Sequence, residues 1–256
     1  FRDENVAHVD GRIDPLDDLE IVDTELLLAD LEGLQRFREK TEKGGKANPR
    51  EAQADLVRID RMIDVVKQGQ PLRSMDLGEE ERSWAREFGL LSAKPTMVIA
   101  NVGEDDFGGG GWVAKLTETL GAGTPVLPVS VKIEEELSQL PPEEREAFIA
   151  ELGLEGSGLQ RVVQAGRRLL RLVTFYTIAN EKLQAWFVAD GTTAPRAAGK
   201  IHSDMERGFI RMETMSVADL LAHGSRAELH KHGLIRTEGR EYVVREGDVC
   251  QILFNR

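Results

Sequence analysis

The sequence predicts a mixed α/β chain with an α/β body, an antiparallel helical hairpin and a compact C-terminal α+β module. Three observations lead there. Strand-like and helix-like segments alternate from Lys94 to Leu170, the mark of an α/β layer. Apolar residues from Ala52 to Val66 step 4-3-4-3, the spacing of a helix–helix seam. Charge also changes character near Leu172. Residues 1–172 carry 34 Asp/Glu against 22 Lys/Arg, whereas residues 173–256 carry 11 of each and four of the five histidines.

The 256 residues suffice for one large or two modest domains. A hydrophobic share of 41% with 30% charged residues excludes global disorder. No apolar run approaches the roughly 18–20 residues of a membrane span, so no membrane contact is expected. One cysteine, Cys250, excludes an intramolecular disulfide framework and a multi-cysteine zinc site, and fits a reducing, cytoplasmic setting. The chain opens on Phe1 without a basic–apolar leader, and we expect it to be a segment of a longer protein. A net charge of −12 does not attract phosphate backbones overall, so any nucleic-acid contact needs a local basic face.

Segment 21–68 reads as two helices. Leu27, Leu31 and Leu34 stripe the first; Ala52, Leu56, Ile59, Ile63 and Val66 stripe the second. Lys43-Gly44-Gly45-Lys46 turns the chain. Asn48-Pro49-Arg50-Glu51 then supplies an N-cap, a proline at the first helical position and a glutamate at the third. Helices of about 20 residues would reach ~30 Å. The seam fits a structural hairpin and an arm that touches a partner equally well.

Thr96-Met97-Val98-Ile99-Ala100 and Thr124-Pro125-Val126-Leu127-Pro128-Val129 read as buried parallel strands ending at Asn101 and Ser130. Helices are expected at Trp112–Leu120, Glu134–Leu140, Glu143–Leu152 and Gly158–Leu170. After Thr174, residues 185–188, 209–213, 242–244 and 250–254 are strand candidates. Short helical turns are expected at 204–207 and 217–221, and 226–233 reads as either helical or loop.

No G-x-x-x-x-G-K-[ST] loop and no H-E-x-x-H pair occurs. Gly108–Gly111 lacks the lysine and hydroxyl of a phosphate loop and reads as a mobile surface turn. His230 and His232 stand two apart, which on a helix separates their rings. Ser157 lacks a nucleophile-elbow frame. Cys250 lies in an apolar strand, where a core role is expected. Paired acids such as Asp17-Asp18 and Glu143-Glu144 read as solvated helix faces. What remains is the pair of strand-end loops, Asn101-Val102-Gly103-Glu104 and Ser130-Val131-Lys132. Asn followed three residues on by a carboxylate is similar to the base-reading N-K-x-D loop of GTPases, and Ser-x-Lys to their second base-reading loop. Functional loops of α/β sheets sit at such carboxyl ends.

Longer blocks carry a family resemblance. These are Glu4-Asn5-Val6-Ala7-His8-Val9, Arg12-Ile13-Asp14-Pro15, Asp23-Thr24-Glu25-Leu26 through Asp30-Leu31-Glu32, and Lys94-Pro95-Thr96 running into Asn101-Val102-Gly103-Glu104. Further on come Ala197-Ala198-Gly199-Lys200-Ile201-His202-Ser203-Asp204, Glu206-Arg207-Gly208-Phe209-Ile210-Arg211, Gly247-Asp248-Val249 and Phe254-Asn255. They span nearly the whole chain, and it resembles the YchF subfamily of Obg-like P-loop ATPases.

The resemblance implies a partial Ras-like P-loop NTPase domain with an inserted helical hairpin, plus a C-terminal α+β TGS (β-grasp-like) domain. Residues 1–22 and 89–172 would be the C-terminal part of the nucleotide-binding domain, 23–88 the inserted antiparallel hairpin, and 173–256 the TGS domain. The family's N-terminal portion, with the phosphate loop, switch residues and Mg2+ ligands, has no counterpart here, and the family lacks the usual water-orienting glutamine. No catalytic residue and no metal ligand can therefore be carried over.

The implied function is a ribosome-associated regulatory ATPase, active as the full-length protein and inactive as this segment alone. It would bind and hydrolyse ATP in preference to GTP. The alternative is an RNA- or ribosome-binding module without NTPase activity. A third reading, a regulatory piece of a synthetase, needs catalytic motifs after the TGS domain. The implied base site is Asn101, Val102, Glu104, Ser130 and Val131. Guanine offers two adjacent donors that a placed Asp accepts together, whereas adenine presents an acceptor at N1. Glu104 stands where that Asp would be and adds a methylene, so the guanine clamp is misplaced. Val102 replaces the usual Lys, and its backbone can pair with N6. Arg196, Lys200, Arg207 and Arg211, with His202 and Phe209 nearby in sequence, would face ribosome or RNA.

Overall fold

The computed structural model describes residues 13–45, 48–103, 111–154, 156–179 and 182–255. They fall into two compact units, Phe1–Val162 and Val163–Arg256.

In the first unit a helical hairpin comes first, formed by α1 (Pro15–Gly44) and α2 (Pro49–Lys67). At 30 residues α1 is longer than expected, and the anticipated break between Val22 and Asp23 falls inside it. The cause is a start signal in the sequence: Asp14 accepts from the Asp17 amide at 3.3 Å, and Pro15 takes the first helical turn. Asn48 occupies the cap position of α2 as expected, but makes no side-chain bond to the helix backbone. Its Nδ2 donates instead to Glu51 Oε2 at 2.6 Å, so the two residues meant for a capping box bond to each other.

The seam buries Ile59, Ile63, Val66 and Leu34, together with Met62. The stretch after α2 has no periodic pattern, yet it closes the base of the hairpin. A 3-10 turn at Leu72–Ser74 and helix α3 (Glu79–Glu87) bring Leu72, Leu77, Ala85 and Leu90 into the same core. Two buried carboxylates fix it. Asp30 accepts from the Leu91 and Ser92 amides, each at 2.7 Å. Glu81 accepts from Arg61 at 2.7 and 2.8 Å and from the Gly78 amide at 2.6 Å.

The α/β layer consists of β1 (Val98–Asn101), α4 (Gly111–Leu120) and β2 (Val126–Val129). Helices α5 (Val131–Gln139), α6 (Pro142–Glu151) and α7 (Gly158–Leu169) follow. β1 and β2 pair in parallel with Asn101 opposite Val129. The strands were expected to be buried, but Ile99 is 49% exposed. Among the described residues this sheet has two strands, so neither is enclosed by neighbours on both sides. The division between the units falls inside α7.

Among the described residues, the second unit carries a five-stranded mixed sheet. Its elements are β3 (Leu172–Ala179), β4 (Lys182–Ala189), α8 (Ala194–Ile201), α9 (Ser203–Arg207), β5 (Phe209–Ser216), α10 (Val217–His223), α11 (Arg226–Lys231), β6 (Arg236–Glu238) and β7 (Asp248–Phe254). The strand order is β4-β3-β7-β5-β6. β3 and β7 run parallel at the centre and the other pairs are antiparallel.

Alternation along the strands builds two cores, one per face. Phe175, Met212 and Cys250 pack with Ala194, Ala197 and Ala198 of α8. Val249 and Met215 pack with Leu229 of α11. Gly208 is required where β5 begins beside the end of β7, because a Cβ there would lie 1.9 Å from the Asn255 carbonyl oxygen.

One expected strand is absent. Among the described residues, Tyr242-Val243-Val244 makes a single bridge, Val243 to Thr193. Ala194 N donates to Tyr242 O at 2.8 Å and Val244 N to Thr192 O at 3.0 Å. The Tyr242 hydroxyl also donates to Asp248 at 2.7 Å, so this run is tied beside the start of α8 and does not join the sheet. The short β6 carried too few residues to show alternation.

Candidate functional site

The two strand-end loops meet. Asn101 closes β1, and the chain leaves β2 at Ser130 directly into α5. Asn101 is exposed, and its Oδ1 accepts from the Val131 amide at 3.3 Å, bridging the two loops. The Asn101 amide nitrogen makes no hydrogen bond among the described residues. Val102 is buried, and its amide donates to Val129 O at 3.0 Å, continuing the parallel ladder by one step. Its side chain therefore belongs to the core, and only its carbonyl is left to accept from a ligand.

Ser130 is 1% exposed, and its hydroxyl accepts from the Ile133 amide at 3.5 Å as the cap of α5. In this arrangement the Ser130 hydroxyl caps the helix that begins beside the Asn101 loop. Val131, the first residue of α5, is 58% exposed. Glu104 lies outside the described residues, as do 108–110 of the expected glycine turn; Gly111 begins α4.

A residue that the sequence did not single out supports this edge. Glu134 of α5 accepts from the Gly158 amide at 2.6 Å and the Leu159 amide at 3.4 Å, tying the start of α7 to α5. Gly158 allows the approach: a Cβ would lie 2.8 Å from Val129 Cγ1 and 2.9 Å from the Glu134 carboxyl. The sequence shows a glycine at a helix start, but nothing local names Glu134 as its partner.

The other candidates differ in exposure and pairing. Arg196 and Lys200 are exposed one turn apart on α8, and Arg211 is exposed on β5. Arg207 is paired with Asp204, and Glu213 with Arg226. Phe209 is 5% exposed in the core, so it is not available as a stacking surface. His232 lies near His223, with ring centroids 5.0 Å apart, and not beside His230. Cys250 is buried, and burial, followed by the nearby Asp248 charge, pushes its thiol well above the ordinary range, as fits an inert core residue. Among the described residues, no group of three or more His, Cys, Asp or Glu side chains could hold a metal ion. No described helix is long and apolar enough to cross a membrane.

Fold and site together define a mixed α/β protein in which two parallel strands present polar loops at one end and a separate mixed-sheet unit follows. A family model described as YchF-GTPase_C, a protein of unknown function (DUF933), matches residues 172–255. The Ribosome-binding ATPase YchF of Escherichia coli O157:H7 is 40% identical over 256 residues, covering 100% of this chain and 70% of the relative. The protein of that name from Bacillus subtilis (strain 168) is 39% identical over 259 residues, with 100% and 71% covered. The solved structure of the Schizosaccharomyces pombe YchF GTPase superposes with a TM-score of 0.85 at 29% identity, covering 98% of this chain and 69% of that one. The chain belongs to the YchF family.

Proposed function

We propose that the chain works as part of a ribosome-associated P-loop ATPase that binds and hydrolyses ATP in preference to GTP. The observation that carries this reading is the bridge from Asn101 to the start of α5 at the carboxyl ends of two parallel strands. The amide donors of Asn101 suit purine N7, an acceptor common to adenine and guanine, so Asn101 recognises a purine without choosing between them. The Val102 carbonyl can accept from the N6 amino group of adenine. Val131 supplies the exposed wall, and Ser130 fixes where that wall begins. Discrimination then falls to Glu104, whose longer side chain misplaces a guanine clamp. Mg2+ would be held by residues outside these 256, in the portion that the family resemblance gives the phosphate loop, and this segment alone would hydrolyse no nucleotide.

The relatives' names make base choice the informative question, since the two bacterial proteins are called ATPases and the fission yeast protein a GTPase. We read residues 1–22 and 89–172 as nucleotide-binding domain, 23–88 as its inserted hairpin and 173–256 as a TGS domain. The parallel central pair and the strand order of the second unit support that last assignment. Ribosome or RNA contact is assigned to Arg196, Lys200, Arg207 and Arg211 of that unit.

Competitive titration of the full-length protein with ATP and GTP tests the base site. Wild type should favour ATP, and Glu104→Asp should shift the preference toward GTP. An unchanged ratio would remove Glu104 from the site, and a wild type that binds neither nucleotide would favour the binding-module alternative.

A further inference from the structure

The two edges of the five-stranded sheet are built differently. At one edge β6 has three residues, and two of them, Arg236 and Glu238, are charged. Short length and charge are the usual means of keeping an edge from pairing. At the other edge β4 has eight residues, Lys-Leu-Gln-Ala-Trp-Phe-Val-Ala, with no proline and a single charge at its first position. Its pairing with β3 is continuous from Leu172↔Ala189 to Ala179↔Lys182, with no bulge to twist the edge away. Leu183 is 65% exposed and Phe187 48%, and Ile178 on the neighbouring strand, directly opposite Leu183, is 46% exposed. Leu183, Ala185 and Phe187 share one face by alternation. This is a long, apolar edge without the features that normally protect one.

We propose that this edge pairs with β4 of a second copy of the chain, antiparallel and centred on Ala185. The residue pattern argues for that occupant. With Ala185 opposite its own copy, Leu183 stands opposite Phe187 of the second copy on one face and Gln184 opposite Trp186 on the other. Each pair occurs twice by the two-fold symmetry. Aliphatic–aromatic pairs directly across two strands are favourable, and a slip of one residue would place Leu183 on the wrong face. Charge agrees: Lys182 falls opposite Val188, so no like charges oppose one another. An edge with one cation and mostly aliphatic exposure does not suit a phosphate backbone, which separates this surface from the basic residues on α8 and β5. The product is a continuous ten-stranded sheet across the two-fold axis.

The register gives a direct test. Opposed residues of an antiparallel pair have Cα atoms about 4.5–5.5 Å apart, inside the range a disulfide spans. Ala185→Cys should therefore form a covalent dimer under mild oxidation, whereas Leu183→Cys, four positions from its own copy, should stay uncrosslinked. Cys250 is buried and does not compete. Sedimentation of the unmodified chain should show a dimer fraction that rises with concentration, and Ala185→Lys, which opposes two ammonium groups, should raise the dissociation constant by about tenfold or more. Circular dichroism of each variant confirms folding. A chain that remains monomeric at several hundred micromolar, or equal crosslinking at positions 183 and 185, overturns the pairing. So does a β4 whose amides gain exchange protection only when ribosomes are added, which would give the edge to another protein.

Discussion

Buried carboxylates at the base of the hairpin and polar residues at the strand ends serve different purposes, and their bonding separates them. Asp30 is 3% exposed, and both of its oxygens accept from backbone amides. Glu81 is equally enclosed and holds Arg61 and the Gly78 amide. Nothing is left over for a ligand, so these groups hold the fold. Asn101 is exposed and uses its oxygen in a 3.3 Å bond, while its amide nitrogen has no hydrogen-bond partner among the described residues. A polar side chain saturated by its own protein marks a structural joint, whereas one that is braced but unsaturated marks a place where something else can bind.

The contrast is sharpest in paired variants. Asp30→Ala removes the acceptor for two amides inside a core, and a stranded buried donor costs about 1–3 kcal/mol. A small gain in helix propensity offsets part of that, so the loss should be about 3 kcal/mol. Asn101→Ala breaks one exposed bond and should stay within about 0.5 kcal/mol. Urea unfolding of both variants against wild type checks the pair. Equal losses would mean that Asn101 is as structural as Asp30, and the proposed base site would lose its anchor.

What could be read from the sequence divides along the same line. The hairpin seam, the α2 start at Asn48-Pro49 and the helices after β2 are local patterns, and each stands in the structure within a few residues of its expected place. Asn101 and Ser130 were legible because each follows a short apolar run. The Asp30 joint was not, since its partners lie 61 and 62 residues away and nothing near Asp30 announces them. Glu134 and Gly158 are 24 residues apart and were missed for the same reason. The α1 start was missed for a different reason: Asp14-Pro15 repeats the cap signal of Asn48-Pro49 but falls before the leucine stripe begins. The exposure of β1 could not be read either, because an apolar run looks the same in a fully enclosed strand and in a half-open one.

The second unit has its own saturated joint. Asp248 is buried and accepts from the Tyr242 hydroxyl at 2.7 Å, the Arg245 amide at 2.9 Å and Arg236 at 3.3 Å. Burial first, then the hydrogen bond to Asp248 and its charge, push the Tyr242 phenol up to about 12. An unfolded tyrosine titrates near 10. Between about pH 10 and 12 the unfolded chain has released this proton while the folded one keeps it, so stability present below pH 10 falls as pH rises. Tyr242→Phe should cost about 1 kcal/mol at neutral pH and remove that extra alkaline decline. Denaturant titrations of both proteins from pH 8 to 12 provide the measurement. Parallel curves for wild type and variant would show that the phenol is not the titrating group.

The smallest expected effect concerns the basic residues of that unit, where the same distinction between saturated and unsaturated groups ranks side chains of one charge. Arg207 is engaged by Asp204, so removing it takes away a cation whose field is already partly cancelled. Arg211 is exposed on β5, and the acid nearest to it in sequence, Glu213, is bound to Arg226. Arg196 and Lys200 stand one turn apart on an exposed face of α8. If phosphates are neutralised here, each cation that contacts one contributes about one unit to the slope of log affinity against log salt. Arg211→Ala should therefore flatten the slope by about one unit, with Arg196→Ala and Lys200→Ala close behind, and Arg207→Ala should change it least. Ribosome or RNA binding measured across salt gives the ranking. Equal affinity and equal slope in folded Arg211→Ala would end the RNA face on this unit, and a larger effect for Arg207 than for Arg211 would mean that the Asp204 pair opens when the partner binds.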